Sequence, residues 1–286
     1  MKNLYRIEQA VEFIEKNLSN PLTLEDIAEN SSISMFYLTR LFNQILGEPL
    51  MEYVRKRKLT KASRELVGTD KTIIDITFDC GYESQEAFTR AFKKVFKTTP
   101  AKYRKNGECV ETLERHRLNL MTIISRRRFW MKEPKLMKKG AFTIVGMTYK
   151  VRNENGEIPQ MWGEYNKRWD EISNKVEGPC YGICDEFVMD NDDPQSGFMS
   201  YMAGHEVTKV ENLPDNMTSK LIPASNWLVF EHHGKLDTLK NTFHYIYSQY
   251  FPESKYEPAG IDIEAYDQRF IPDSDESMFE IWIRVK

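Results

Sequence analysis

Apolar residues recur three and four apart over the first hundred positions, and two apart in many segments after about residue 140. The first pattern predicts helices. Leu4, Ile7, Val11, Ile14 and Leu18 mark one face of an opening helix. Thr23, with Asp26 three residues on, predicts a capped short helix to about Glu29. Ser34 caps a helix from Met35 to about Leu46, and Gly47 stops it. A long helix follows from about Leu50 to Leu66. Thr72 with Asp75 opens another short helix, Gly81 turns the chain, Ser84 caps the next helix, and Pro100 begins the last. Ser34, Leu38, Thr39, Arg40 and Phe42 return as Ser84, Phe88, Thr89, Arg90 and Phe92 at a constant offset of fifty. A capped short helix, a tight turn and a capped second helix are therefore made twice, which is a duplicated helix-turn-helix.

The second pattern predicts strands. The segments "AFTIVGMTYKV", "YGICDEF" and "FMSYMAGHEV" alternate as strands, with Trp162, Tyr165, Trp169 and Ile172 expected on one helix face among them. The order then repeats. "NWLVFEHHG", "GIDIEAYD" and "FEIWIRV" are strands, with Leu239, Phe243, Ile246, Tyr247 and Tyr250 on a helix. This half reads as α+β, a βαββ unit used twice, and the expected arrangement is a two-sheet cup about a pseudo-twofold axis. Acidic turns are expected at "MDNDDPQSG" and "IPDSDES".

Packing explains Ile27, Ala28, Leu38, Leu41 and Phe42 in the first helical unit, and Ile73, Ile76, Phe88, Ala91, Phe92 and Phe96 in the second. It does not explain the outward stripe. Met35, Phe36, Thr39 and Arg40 lie on that stripe in one unit, and Gln85, Glu86, Thr89 and Arg90 in the other. Glutamine can pair with adenine, arginine with guanine, glutamate with the cytosine amine, and apolar groups with the thymine methyl. These eight are the candidate base contacts. Ser34, Ser84, Arg55, Arg57, Lys58, Lys93, Lys94 and Lys102 are candidate contacts to phosphate, which position a protein without reading sequence. Two reading heads on one chain can read an asymmetric duplex site without dimer symmetry, so a monomer or weak dimer is expected.

Charge sharpens the division. Residues 1–139 carry 27 Lys and Arg against 18 Asp and Glu, so +9; residues 140–286 carry 13 against 25, so −12; together these give the net −3 of the chain. A polyanion suits the first half and a cation the second. No apolar run reaches the length of a membrane span, and no membrane partner is expected. Four cysteines in 286 residues, Cys80, Cys109, Cys180 and Cys184, fit reduced thiols and a cytoplasmic location. Cys180, Cys184, His232 and His233 lack zinc spacing; neither a metal nor another cofactor is expected.

In the acidic half, Asp262, Glu264 and Tyr266 share one face of a strand, and Met278, Glu280, Trp282 and Arg284 share a face of the next. These faces are either solvated or walls of an aromatic pocket with a carboxylate at its base. Such a pocket suits a lipophilic cation. A carboxylate buried there without a partner would be costly, so removing its charge is expected to stabilise the empty protein.

The run "GYESQEAFTRAFKKVFKTTPAKYR", with "LTLEDIAENSSISMFYLTRLFNQILGEPLMEYVRKRKL" before it, resembles the two helix-turn-helix units of the AraC/XylS family of bacterial transcription regulators over about residues 4–105. Ser32 stands where the family usually has Gly in the first unit, and Thr77 where it usually has Ala in the second. "FMSYMAGHEV", "NWLVFEHHGKLDTLKNTFHYIYSQYFPES", "IDIEAYD" and "FEIWIRV" resemble the GyrI-like small-molecule-binding domain. The order of the two is Rob-like. The resemblance implies a DNA-binding domain over 1–108, a linker over 109–139 and an effector-binding domain over 140–286. It places Glu264 in the ligand pocket, with Glu280, Trp162, Trp169 and Tyr201 as further candidates. It implies a regulator, with activation the favoured direction, that binds double-stranded DNA, a small cationic lipophilic effector and RNA polymerase. The rival reading of the second half is a small-molecule hydrolase, with Glu264 and Tyr266 as base and acid, or a sequestering module. No nucleophile motif or Gly-rich phosphate loop favours an enzyme.

Overall fold

The computed structural model describes residues 2–107, 131–151, 157–189 and 197–286, without the side chains of 2–4, 185–189 and 197. The side chain of Leu4, Cys109, most of the 109–139 junction and most of the first acidic turn lie outside the described residues. The chain forms two compact units.

The first unit is helical: α1 (Lys2–Lys16), α2 (Leu24–Asn30), α3 (Met35–Leu46), α4 (Leu50–Gly68), α5 (Ile73–Asp79), α6 (Gln85–Phe96) and α7 (Pro100–Asn106). The caps form as the spacing predicts. The amide of Asp26 donates to the Thr23 hydroxyl at 3.1 Å, and the Thr23 amide donates back to the Asp26 carboxylate at 2.9 Å. Thr72 and Asp75 repeat this reciprocal pair. Ser34 and Ser84 accept from the amides of Tyr37 and Ala87, each at 3.2 Å. The two turns differ. Gly81 takes a left-handed φ of 77°, which glycine adopts without strain, whereas Ser32 takes φ 55° with a side chain. Leu59, Ala62 and Leu66 of α4 pack with Ile76, Phe88, Phe92 and Tyr103 to form the core of the second helix-turn-helix.

The connector α4 overturns three expected phosphate contacts. Arg57 is 6% exposed and holds the Glu15 carboxylate of α1 with two bonds of 2.7 and 2.9 Å, while Tyr53 donates to the same carboxylate at 3.1 Å. Lys58 is 2% exposed and donates to the Asn20 carbonyl at 2.9 Å. Burial lowers its pKa, since the charged ammonium has lost its water. Arg55 is held against Glu52 on its own helix, with little of its side chain exposed. The "RKRK" run therefore ties α4 to α1, to the segment after α1 and to nearby acids. A basic run on a helix buried on several sides is drawn inward wherever a carboxylate or carbonyl awaits it.

The second unit is α+β: β1 (Lys135–Lys139), β2 (Phe142–Val151), α8 (Glu157–Tyr165), β3 (Lys175–Met189), β4 (Gly197–Val207), β5 (Thr218–Ile222), β6 (Ser225–His233), α9 (Leu239–His244), β7 (Pro258–Tyr266) and β8 (Met278–Val285). A π-helical stretch, Tyr245–Tyr250, extends α9. Both βαββ repeats are present, each led by an additional short strand, β1 or β5. Instead of two sheets there is one of eight strands, ordered β1-β6-β8-β7-β3-β4-β2-β5. Each short leading strand pairs with the second strand of the other repeat, β1 with β6 and β5 with β2. The repeats meet where β3 pairs with β7, around Ile183 opposite Ile263. Residues 135–139, expected in the linker, thus belong to the sheet. β1 and β5 are short, lysine-bearing edge strands, too brief to show a clear alternation.

Alternation sends side chains to two distinct cores. Ile144, Tyr181, Ile183, Met202, Trp227, Val229, Ile263 and Trp282 pack on one face. Val145, Met147, Cys184, Tyr201 and Ala203 pack on the other, beneath Met161 and Tyr165 of α8. The first residues of β7 and β8 to be buried are apolar for the same reason, and the carboxylates fall between them.

Candidate functional site

In the helical unit, the outward stripes of α3 and α6 stay accessible. Met35 is 46% exposed, and Gln85, Glu86 and Arg90 are exposed. Thr89 and Phe36 are half-buried. The Arg40 guanidinium lies 5.4 Å from the Phe36 ring centre, so these two form one surface. The Thr39 hydroxyl bonds its own helix, at 2.9 Å from the Phe36 carbonyl. α6 thus presents three polar groups suited to base edges, where α3 presents an apolar and guanidinium surface. Lys93, Lys94 and Lys102 are exposed, in contrast to Arg55, Arg57 and Lys58 of α4. Ser34 and Ser84 are exposed, and each uses an oxygen lone pair for its cap, which leaves the hydroxyl proton for an external acceptor.

In the sheet unit, β7 sends Asp262, Glu264 and Tyr266 to the face that α8 covers. Glu264 accepts from the Tyr201 hydroxyl at 2.6 Å and from the Tyr266 hydroxyl at 2.9 Å, both on Oε2. The Trp162 indole donates to the Tyr201 oxygen at 3.1 Å, and the Trp162 and Tyr266 rings meet edge to face at 5.3 Å. Burial and then the neighbouring Glu264 charge hold both tyrosines protonated far above the usual phenol range. Glu264 therefore has partners, which removes the expected gain in stability on losing its charge. One strand position away on the same face, Asp262 is 2% exposed and accepts from Tyr247 at 2.6 Å.

The sheet explains why this site is one-sided. Gly182 of β3 stands opposite Glu264, and Cys184 opposite Asp262. A rotation about Ile183 and Ile263 would exchange Gly182 with Asp262, and Cys184 with Glu264. The second repeat supplies both carboxylates and the first supplies the space. A Cβ on Gly182 would lie 2.1 Å from the Tyr201 hydroxyl and 2.9 Å from Glu264 Oε2. The missing side chain is what lets Tyr201 reach Glu264 across β3.

Of the expected pocket residues, Glu264, Trp162 and Tyr201 are brought together. Trp169 is not on the same helix: α8 ends at Tyr165, and Trp169 begins a single tight turn, Trp169–Glu171. It stacks on His205 at 5.3 Å, with the Lys175 ammonium 4.8 Å from its ring. Burial lowers the His205 pKa to about 4. Glu280 lies on the opposite face of the sheet from Glu264. It stands opposite Ala265, accepts from Trp282 at 2.8 Å and pairs with Arg269 at 3.3 Å. A one-residue difference in register between β7 and β8 separates the two carboxylates. The sequence reading missed Gly182 and Tyr247. Gly182 sits within the apolar run from Cys180 to Cys184 of β3, where a glycine often marks the close approach of another group.

The helix-turn-helix domain family matches residues 27–106, and the family described as integron-associated effector binding protein matches residues 135–285. The Transposon Tn10 TetD protein of Escherichia coli is 43% identical over 100 residues, which are 35% of this chain and 72% of that protein. The regulatory protein SoxS of Salmonella typhimurium is 39% identical over 98 residues, 34% of this chain and 92% of SoxS. The solved structure of SAV2435 bound to tetraphenylphosphonium is 22% identical, with a TM-score of 0.42, and covers 54% of this chain and 94% of its own.

Proposed function

Because the chain belongs to the AraC-type DNA-binding transcription regulators and carries an effector-binding domain of the integron-associated family, we propose that it activates transcription as a cytoplasmic monomer or weak dimer in response to a small lipophilic cation. The observation that carries this reading is the Glu264 carboxylate, held by two tyrosine hydroxyls beside the Trp162 ring. An organic cation gains Coulomb attraction to that charge and contact with the ring faces, and both strengthen as water is excluded. The two tyrosine hydroxyls are neutral donors that fix where the carboxylate points.

On the DNA side, Gln85, Glu86, Thr89 and Arg90 of α6 read bases through polar groups. Met35, Phe36, Thr39 and Arg40 of α3 read them largely through apolar contact and the Arg40 guanidinium. Lys93, Lys94, Lys102, Ser34 and Ser84 hold phosphates, and RNA polymerase is the protein partner of an activator of this kind. Regulation requires that the cation bind the DNA-competent and DNA-incompetent states unequally; tight binding alone shifts nothing.

Two titrations test the proposal. Selected duplex DNA is titrated with the wild type and with Arg90→Ala, which should lose about 1–3 kcal/mol and relax the preference at one base pair. An equal loss on random DNA removes Arg90 from base reading. The wild type is then titrated with an aryl trimethylammonium and with its neutral tert-butyl isostere, with and without selected DNA. A cation affinity that DNA does not alter leaves a sequestering module in place of a sensor.

A further inference from the structure

The face of the sheet opposite Glu264 holds a second arrangement of rings around a charge. Lys139 ends the edge strand β1, yet its ammonium turns inward. It lies 4.4 Å from the Phe142 ring centre, 5.9 Å from that of Trp282 and 3.0 Å from the Glu206 carboxylate. Tyr181 completes the group. Its ring centre lies 6.0 Å from that of Phe142 and 5.6 Å from that of Trp282, and its hydroxyl donates to the same Glu206 oxygen at 3.4 Å. The rings are buried, whereas the Lys139 and Glu206 side chains keep 26% and 19% of their surface exposed. Lysines on an edge strand ordinarily extend into water and guard the edge. Three aromatic rings with one carboxylate are instead the elements of an ammonium-binding cage.

We propose that Phe142, Tyr181, Trp282 and Glu206 form a second cation site, that Lys139 occupies it as a tethered ligand in the unliganded chain, and that an external organic ammonium binds there by displacing Lys139. The tether presents Lys139 at a high effective concentration, so it lowers the apparent affinity of any competitor. Displacement also has a mechanical result. Among the described residues β1 pairs only with β6, and Lys139 holds its end against the far side of the sheet through Phe142 of β2 and Glu206 of β4. Losing that anchor loosens β1, the first described strand of the second unit.

The full-length Glu264→Gln protein tests this with the first site silenced, so that failure here is distinct from failure of the proposed function. Phenethyltrimethylammonium is the probe and its neutral isostere the control. Adding Lys139→Ala should tighten probe binding by about tenfold, because a tethered cation worth roughly 1–2 kcal/mol is gone. Lys139→Arg keeps the occupant and should leave affinity near that of the parent. Adding Glu206→Gln to the Lys139→Ala protein should weaken the probe again by a similar factor. Hydrogen exchange of residues 135–139 should quicken on adding probe to the Lys139 protein and should already be fast in Lys139→Ala. Near-ultraviolet circular dichroism confirms that each variant keeps its core. The proposal is overturned if Lys139→Ala, still folded, binds the probe no more tightly than its parent. It is equally overturned if Glu206→Gln has no effect or if the neutral isostere follows the same pattern.

Discussion

Replacing Gly182 with alanine tests whether the Tyr201–Glu264 pair depends on one missing side chain. The new Cβ would sit 2.1 Å from the Tyr201 hydroxyl, where ordinary contact begins at 3.4 Å, so 3.4 − 2.1 = 1.3 Å of movement is needed. Tyr201 is 2% exposed, and its oxygen is held by both Trp162 and Glu264. β3 cannot yield easily, since it pairs with β4 on one side and β7 on the other. Overpacking costs about 1–3 kcal/mol, and losing a hydrogen bond to a charged acceptor about 1.5–3 kcal/mol. The sum is roughly 2.5–6 kcal/mol, a fall in melting temperature of roughly 5–24 °C for a domain of this size. Scanning calorimetry of the full chain reads it. Gly163→Ala in α8 is the control: nothing lies within 4 Å of its Cβ, and a helix interior gains about 0.5–1 kcal/mol from alanine. If Gly182→Ala melts with the wild type and binds the cation unchanged, the account of Gly182 as the space for the site is wrong.

Glu264→Gln should weaken an aryl ammonium far more than its neutral isostere, by about 3 kcal/mol for a charge roughly 5 Å away at an effective dielectric near 20; equal losses measured by calorimetry would reject the charge anchor. Ser32→Gly should raise stability by up to about 1 kcal/mol, because glycine accepts the left-handed φ of 55° without strain; denaturant titration checks the sign. His205 should make stability depend on acid. Folding lowers its pKa from 6.5 to about 4, so the unfolded chain binds the proton first and stability is lost as pH falls from 6.5 towards 4. The loss is roughly 1–3 kcal/mol and should vanish in His205→Gln. Lys93→Ala should weaken all duplexes alike and reduce the salt slope of binding by about one, whereas an unchanged slope would remove it from the phosphate contacts.

Helices α2, α3, α5, α6 and α7 were legible because each carries its own start signal. A Thr or Ser cap with its partner three residues on is a local interaction, and a stripe repeating at three and four says which side is buried. Three-residue spacing alone could also separate Gln85, Glu86 and Arg90 from Phe88 and Phe92. The long strands were legible from alternation, and so was the placing of Asp262, Glu264 and Tyr266 on the face opposite Ile261 and Ile263. Ser32 and Gly81 mark the same turn, although only the backbone angle reveals that the serine is strained.

Other features depended on partners distant in the chain. Nothing local distinguishes Arg57 and Lys58 from Lys93 and Lys94. The first pair meets Glu15 and Asn20 in space, and the second meets solvent. Glu264 and Glu280 read alike along their strands, and only the register of β7 against β8 sends one to the Tyr201 face and the other to the Arg269 side. Lys139 looked like part of a basic linker because a five-residue edge strand carries too little pattern to declare itself. Local propensity and periodicity determine which elements form and which faces are buried. Register and topology decide which charges meet, since a shift of one residue along a strand moves a side chain to the opposite face while leaving its local pattern unchanged.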